Sequence, residues 1–296
     1  MSTVKVEAEC APCLLARALA ETCEATTNPA LRFRAMAEII KLLNREFRPT
    51  AVAADLGTKR DRLIKQLTGS SDPYKRSKKM SNERAMRLLP KARKFVEDGY
   101  TQQDRFKKAC LCSMVGNIME FDIPGHTFTL STLTKSFREA AKDLVVDDID
   151  KAYELAKKAR GVLYLADNAG EIVFDTLLVE QLKNMGLEVT YVVKGGPVLN
   201  DATLEDVESS GMGKLADNIL TTGTDAVGLL IKEVSPEFLK VYNAAELVFA
   251  KGMGYAETLT EYKLTKPHLL LFRTKCNPVA NYFCAPRHKN IAKLMP

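Results

Sequence analysis

The chain is predicted to be an α/β protein, helical through its first half and built on a parallel sheet in its second. Three observations predict this. As far as residue 160, apolar residues recur at three and four spacing with Pro, Gly and Asp at the breaks, which is the pattern of amphipathic helices. After Gly161, apolar runs of five or six residues alternate with amphipathic stretches, as in a parallel sheet flanked by helices. Four of those runs give way to polar loops of similar character, and in a parallel sheet such loops fall on one edge.

Helices are expected over 9–24, 28–47, 59–68, 73–97 and 102–121. The stretch 122–129, with Pro124 and Gly125, reads as a loop and a subdomain break. Ser131 or Thr132 can cap a further helix running to residue 144, and Asp147 or Asp148 another running to residue 160. Strands are expected at 162–166, 188–193, 219–222, 247–251 and 268–273, with helices at 172–185, 202–209, 226–234 and 236–243. The expected organisation is a helical region over 1–160, with a break near 122–130, and an α/β domain over 161–296.

With 296 residues and 46% apolar content the chain can build one large domain or two ordinary ones. No apolar run approaches the roughly 20 residues that a membrane-spanning helix needs, and the N-terminus lacks the order of a signal peptide, so a cytoplasmic location is expected. Seven cysteines, an odd number, do not make a secreted disulfide framework. The net charge of +6 is uneven: residues 59–108 carry 16 Lys and Arg against 6 Asp and Glu, which leaves the rest of the chain at −4. A basic segment over an active site would attract phosphorylated substrates, although most of it reads as solvated helix faces. Nucleic acid is the weaker reading, because the segment has few interleaved aromatics and no recognised binding motif.

The chemistry is expected in the loops after the strands. The first gives Asp167 and Asn168, two adjacent oxygen-bearing side chains where the ligand crevice of an open parallel sheet lies; capping the next helix would need only one of them. The second runs Lys194-Gly195-Gly196-Pro197-Val198-Leu199-Asn200-Asp201, the fourth Lys251-Gly252-Met253-Gly254 with Glu257 beyond, and the fifth gives Lys275 and Cys276. Two carboxylates and an amide oxygen suit a hard divalent cation such as Mg²⁺ or Mn²⁺. Lys194 and Lys251 would balance ligand charge, and the glycines would let backbone N–H groups approach phosphate oxygens. There is no Gly-x-Gly-x-x-Gly, no Walker sequence and no Asp-x-Asp of the haloacid dehalogenase type.

Those residues carry a resemblance. Ala166-Asp167-Asn168-Ala169-Gly170-Glu171 with Asp175, the Lys194 to Thr203 loop, and Lys251-Gly252-Met253-Gly254 with Glu257 together resemble the metal-dependent damage-control phosphatases, a family catalogued as domain of unknown function 89. Glu9-Cys10-Ala11-Pro12-Cys13-Leu14, Asp72-Pro73-Tyr74-Lys75 with Asn82, Gly116-Asn117 and Lys275-Cys276 resemble its prokaryotic-type branch. The resemblance implies a helical N-terminal region attached to a Rossmann-like, three-layer α/β/α sandwich. It also implies hydrolysis of phosphate esters, among them sugar phosphates and damaged metabolites, with a divalent metal (Mn, Co, Ni or Mg). By position it makes Asp167, Asn168 and Asp201 metal ligands, and Asn117, Lys194, Lys251, Gly252 and Glu257 phosphate or substrate contacts. Tyr255 and Ala256 depart from the Asn and aromatic that often precede the Glu of the family's Gly-rich loop.

Either Asp167 or a metal-bound water would attack phosphorus. Cys10 and Cys13 share a helix face, and Cys276 is the candidate to join them in a structural, metal or redox role. The three histidines are scattered. The rival readings are another phosphate-handling enzyme on the same site, such as a sugar-phosphate isomerase or lyase, and a non-catalytic phosphometabolite or nucleic-acid binding protein.

Overall fold

The computed structural model describes residues 3–115, 137 and 139–296. Asn117, His126, the expected loop at 122–129 and most of the helix expected from 131 lie outside the described residues. Helices α1 (Cys10–Ala25), α2 (Pro29–Glu46), α3 (Ala53–Thr68), α4 (Lys75–Glu97) and α5 (Gln102–Val115) come first. Strand β1 (Leu144–Asp147) and α6 (Ile149–Ala156) follow, then β2 (Gly161–Leu165), α7 (Glu171–Asn184), β3 (Glu188–Val193), α8 (Leu204–Ser210) and β4 (Asn218–Thr221). The chain ends with α9 (Pro236–Ala244), β5 (Val248–Lys251), α10 (Met253–Leu259), β6 (His268–Arg273), α11 (Asn277–Tyr282) and β7 (Asn290–Met295).

The seven strands make one sheet in the order β1-β7-β6-β5-β2-β3-β4. From β6 through β4 all pairings are parallel, whereas β7 is antiparallel to β6 and β1 runs parallel to β7. The order moves outward from β2 to β3 and β4, then returns to β5 on the other side of β2. That reversal between β2 and β5 is a topological switch point, where a crevice opens beyond the carboxyl ends of the strands.

Alternation along β2 shows how the layers are filled. Val162, Tyr164 and Ala166 face one core with Phe106 of α5, Ile149 of α6 and Leu177 of α7. Leu163 and Leu165 face the other with Phe238 of α9, Tyr255 of α10 and Val279 of α11. Helices α1 to α3 close around a separate small core that includes Leu14, Ile39 and Ile64. The helical first half therefore divides: α4 and α5 complete the sandwich, and α1 to α3 stand on their own core. No described helix is long and apolar enough to cross a membrane.

The expected strands 162–166, 188–193, 219–222, 247–251 and 268–273 all form, with ends shifted by a residue at most. Other expectations do not hold. Leu144, expected to end a helix, opens β1, which brings part of the 1–160 region into the sheet. The expected helix at 226–234 is absent. There, Val227 N–H donates to Thr58 (2.9 Å), Leu229 N–H to Thr258 (2.9 Å) and Ile231 N–H to Tyr262 (3.2 Å), so side chains of other elements satisfy this backbone instead of a helical ladder. Helices α10 and α11 and strand β7 were not expected; the helices span only seven and six residues, too short for a clear period.

Phe106 is fully buried on α5, edge-on to Phe249 of β5 at 6.2 Å between ring centres. Phe106→Ala is expected to lower stability by about 3–5 kcal/mol in denaturant unfolding. A loss below about 1 kcal/mol would mean that α5 is not part of the sandwich core.

Candidate functional site

At the switch point the chain leaves β2 through Asp167-Asn168-Ala169-Gly170 and enters α7 at Glu171. Gly170 takes a positive φ of 81°, and its N–H donates to Asn82 Oδ1 of α4 at 2.6 Å. This turn is stitched to the loop after β3. Asn168 and Asp201 form an antiparallel bridge, Ala169 N–H donates to Asn200 O (2.9 Å), and Ala202 N–H donates to Asp167 O (2.8 Å). Backbone pairing between the two loops thus brings Asp167, Asn168 and Asp201 together.

Two further elements hold this arrangement. From α3, Asp61 Oδ1 accepts the Leu199 N–H at 3.1 Å and Lys65 Nζ donates to Pro197 O at 2.6 Å. Leu199 has a φ of +47°, uncommon for a branched residue, and the α3 contacts keep it there. From β5, Gly252 (φ +86°) lies against the Asp167 carboxylate, where a Cβ would fall 2.0 Å from Oδ2. Only glycine lets the β5 loop come this close.

Around the three oxygen-bearing side chains the charges are buried and paired. Asn168 Nδ2 donates to Asp167 Oδ2 at 2.8 Å and to Glu171 Oε1 at 2.6 Å. Lys251 Nζ donates to Ser113 O (2.8 Å), Asp175 Oδ1 (3.0 Å) and Glu171 Oε2 (3.1 Å). Asp175, fully buried, also accepts from Tyr164 and Tyr191, each at 2.8 Å. Lys194 Nζ donates to Gly228 O at 2.6 Å, lies 3.6 Å from Asp201 Oδ2 and sits over the Tyr255 ring.

Loss of solvent pushes the Asp167 carboxyl up to about 7, helped by the charge of Asp201 and opposed by Lys251, Lys275 and Lys194. Burial likewise pushes Asp201 up to about 6, with Lys194 opposing and Asp61 adding to the rise. Two carboxyls that resist ionising side by side are suited to a cation that restores their charge. The donor set of Asp167, Asn168 and Asp201 is all oxygen, the chemistry of a hard divalent ion. Among the described residues no three His, Cys, Asp or Glu side chains make a metal-holding group, so an ion here would need the Asn168 amide oxygen to complete its protein ligands.

Other expected residues lie differently. The three N–H groups of Lys251 have three protein acceptors among the described residues. Glu257 is buried and accepts the Ala54 N–H at the start of α3, on the side of Arg17. Cys10, Cys13 and Cys276 are free thiols. The charge of Glu257, then Cys10 and Cys13, bears on Cys276, so these groups neighbour one another.

Four residues outside the expected site set bear on the crevice. Glu171 and Asp175 fall one turn apart at the start of α7 and could have been found by helical spacing from Asn168. Asp61 comes from a distant helix and leaves no local signal. Lys275, in the loop after β6, is only partly buried and makes no hydrogen bond or ion pair among the described residues, while its charge bears on Asp167.

Comparison with known proteins agrees with this architecture. Residues 6–291 match the damage-control phosphatase ARMT1-like domain. A damage-control phosphatase of Archaeoglobus fulgidus is 35% identical over 94% of this chain and 94% of its own. Another from Pyrococcus horikoshii is 32% identical over 96% of each. An uncharacterized protein of Methanocaldococcus jannaschii is 34% identical over 94% of this chain and 91% of its own. The crystal structure of a domain-of-unknown-function-89 protein from Pyrococcus horikoshii superposes with a TM-score of 0.85 at 31% identity, covering 97% of this chain and 98% of that one.

Because both carboxyls are raised, to about 7 and about 6, a cation entering at acid pH must displace protons. Affinity for Mn²⁺ in the absence of substrate is therefore expected to rise from about pH 5.5 to about pH 7.5, by up to about tenfold per pH unit for each proton released. Titration calorimetry in buffers of different ionisation heat counts those protons. A pH-independent affinity across that window would show that neither carboxyl receives the ion.

Proposed function

Since the chain belongs to the damage-control phosphatase ARMT1-like family, we propose that it is a metal-dependent phosphatase that hydrolyses phosphate esters of small metabolites, sugar phosphates and damaged phosphometabolites among them. The observation that carries this reading is the convergence of Asp167, Asn168 and Asp201 at the β2/β5 switch point, closed on one side by a glycine that lies against the Asp167 carboxylate. The same reading assigns the chain to the cytoplasm.

Asp167, Asn168 Oδ1 and Asp201 would hold the divalent ion, Mn²⁺, Co²⁺, Ni²⁺ or Mg²⁺, which when bound supplies charge neutralisation at the phosphoryl oxygens. Among the described residues, Lys275 is the ammonium left to contact the phosphoryl group, and Lys194 and Lys251 act on it through their fields. Asp167 would hold the ion through Oδ2, which also accepts from the Asn168 amide, and turn its other oxygen to phosphorus as the attacking group. Asn117 remains a proposed substrate contact.

Purified protein is expected to release inorganic phosphate from an aryl phosphate, to lose that activity on chelation and to regain it with Mn²⁺, Co²⁺, Ni²⁺ or Mg²⁺. Unchanged release after exhaustive chelation would contradict the reading, and conversion of a sugar phosphate without free phosphate would favour an isomerase or lyase. Asp201→Asn is expected to lower activity at least about tenfold and to recover with raised metal. Asp167→Asn should lose about a thousandfold or more with no recovery, and the wild type should form a hydroxylamine-sensitive phosphoryl adduct on rapid quenching. Equal recovery of both variants, with no adduct, would assign the attack to water and leave the phosphatase reading in place.

A further inference from the structure

An asparagine amide is nearly symmetrical in shape, so nothing in its own outline decides whether oxygen or nitrogen faces a cation. At Asn168 the surroundings decide. One end of the amide lies 2.8 Å from Asp167 Oδ2 and 2.6 Å from Glu171 Oε1. An NH₂ group there donates to both oxygens at those distances, whereas an amide oxygen would face two unprotonated carboxylate oxygens. The oxygen is therefore left for the crevice. Of the two acceptors, Asp167 is itself a candidate ligand, so the residue free to fix the amide is Glu171.

Glu171 is suited to that task. It is 1% exposed, and its second oxygen accepts from Lys251 Nζ at 3.1 Å. Lys251 is held in turn by Asp175 Oδ1 and by Ser113 O. We infer that Glu171 is a positioning residue that sets the polarity of the Asn168 side chain, so that an oxygen is presented to the ion, and that Lys251 serves by holding the Glu171 carboxylate. This rests on the metal-dependent reading above. It explains why a carboxylate is needed at 171: two donors, Asn168 Nδ2 and Lys251 Nζ, converge on the side chain, and it must offer an acceptor to each. A glutamine has one oxygen. The charged ammonium is the stronger donor and takes it, so the glutamine NH₂ is left facing Asn168. The amide then turns over and directs N–H groups into the crevice.

The test is Mn²⁺ binding without substrate, read from the spin-resonance signal of the free ion, in the wild type, Glu171→Gln, Glu171→Asp and the double variant Glu171→Gln with Asn168→Asp. Thermal melts check that each is folded. Glu171→Gln is expected to raise the Mn²⁺ Kd by about 10–100-fold, the range typical for residues that orient a metal ligand. Glu171→Asp keeps the charge but draws the carboxylate back from Asn168, so it should weaken binding to a similar degree. The double variant should recover to within about threefold of wild type, because a carboxylate at 168 presents an oxygen either way round and the net charge is restored. Near-wild-type binding in Glu171→Asp would show that charge alone matters and would overturn the inference. So would wild-type binding in Glu171→Gln, or no recovery in the double variant. A wild type that binds no Mn²⁺ would overturn the metal-dependent reading itself, which is a different outcome from unchanged binding across the variants.

Discussion

A single buried ammonium, that of Lys251, ties the sheet to the helices that carry the site. It sits at the carboxyl end of β5 and is 1% exposed, yet each of its N–H groups has an acceptor. Ser113 O belongs to α5, and Glu171 opens α7, where a carboxylate is favoured. One charge thus joins a carbonyl of one helix to the start of another. Removing one member of such a buried set leaves the others unpaired, at a cost of about 3–5 kcal/mol. The same interaction reaches the crevice, because Glu171 passes its orientation to Asn168 and Asn168 touches Asp167.

The remaining parts of the fold act on the crevice from outside. Asn82 of α4 grips the Gly170 N–H and also donates to Asp206 of α8 at 2.7 Å, which joins the two loops that carry the ligands. Asp61 and Lys65 of α3 grip the loop before Asp201, and Lys65 also pairs with Asp225 at 2.9 Å. The α1 to α3 unit, with its own core, is therefore fastened to the β3 loop by charges. Part of the basic stretch read from the sequence is used this way, in internal pairs such as Lys65 with Asp61 and Lys78 with Asp72, and not as a free cationic face.

Much of this could be read from the sequence, because the strongest signals are local. The central strands stand out as apolar runs between turns, and Asp167, Asn168 and Asp201 lie in the loops after two of them. What could not be read depends on distant partners. The 226–234 stretch looks helical in isolation, yet Thr58, Thr258 and Tyr262 take up its N–H groups, and Gly228 at φ +66° lies where a Cβ would meet Gly254 O at 2.3 Å. Strand β1 is four residues long and is stabilised by pairing with β7 from the far end of the chain. Lys251 reads from the sequence as a charge that balances a ligand; its three acceptors come from α5 and α7, which the loop motif alone does not reveal.

The most direct test of the central claim is a crystal structure of the Mn²⁺-loaded protein with anomalous data collected at the manganese edge. The account predicts one strong anomalous peak in the β2/β5 crevice, within about 2.0–2.4 Å of oxygens from Asp167, Asn168 and Asp201, with the Asn168 nitrogen turned toward Glu171. A peak among Cys10, Cys13 and Cys276 with the crevice empty, or an Asn168 nitrogen facing the ion, would contradict it.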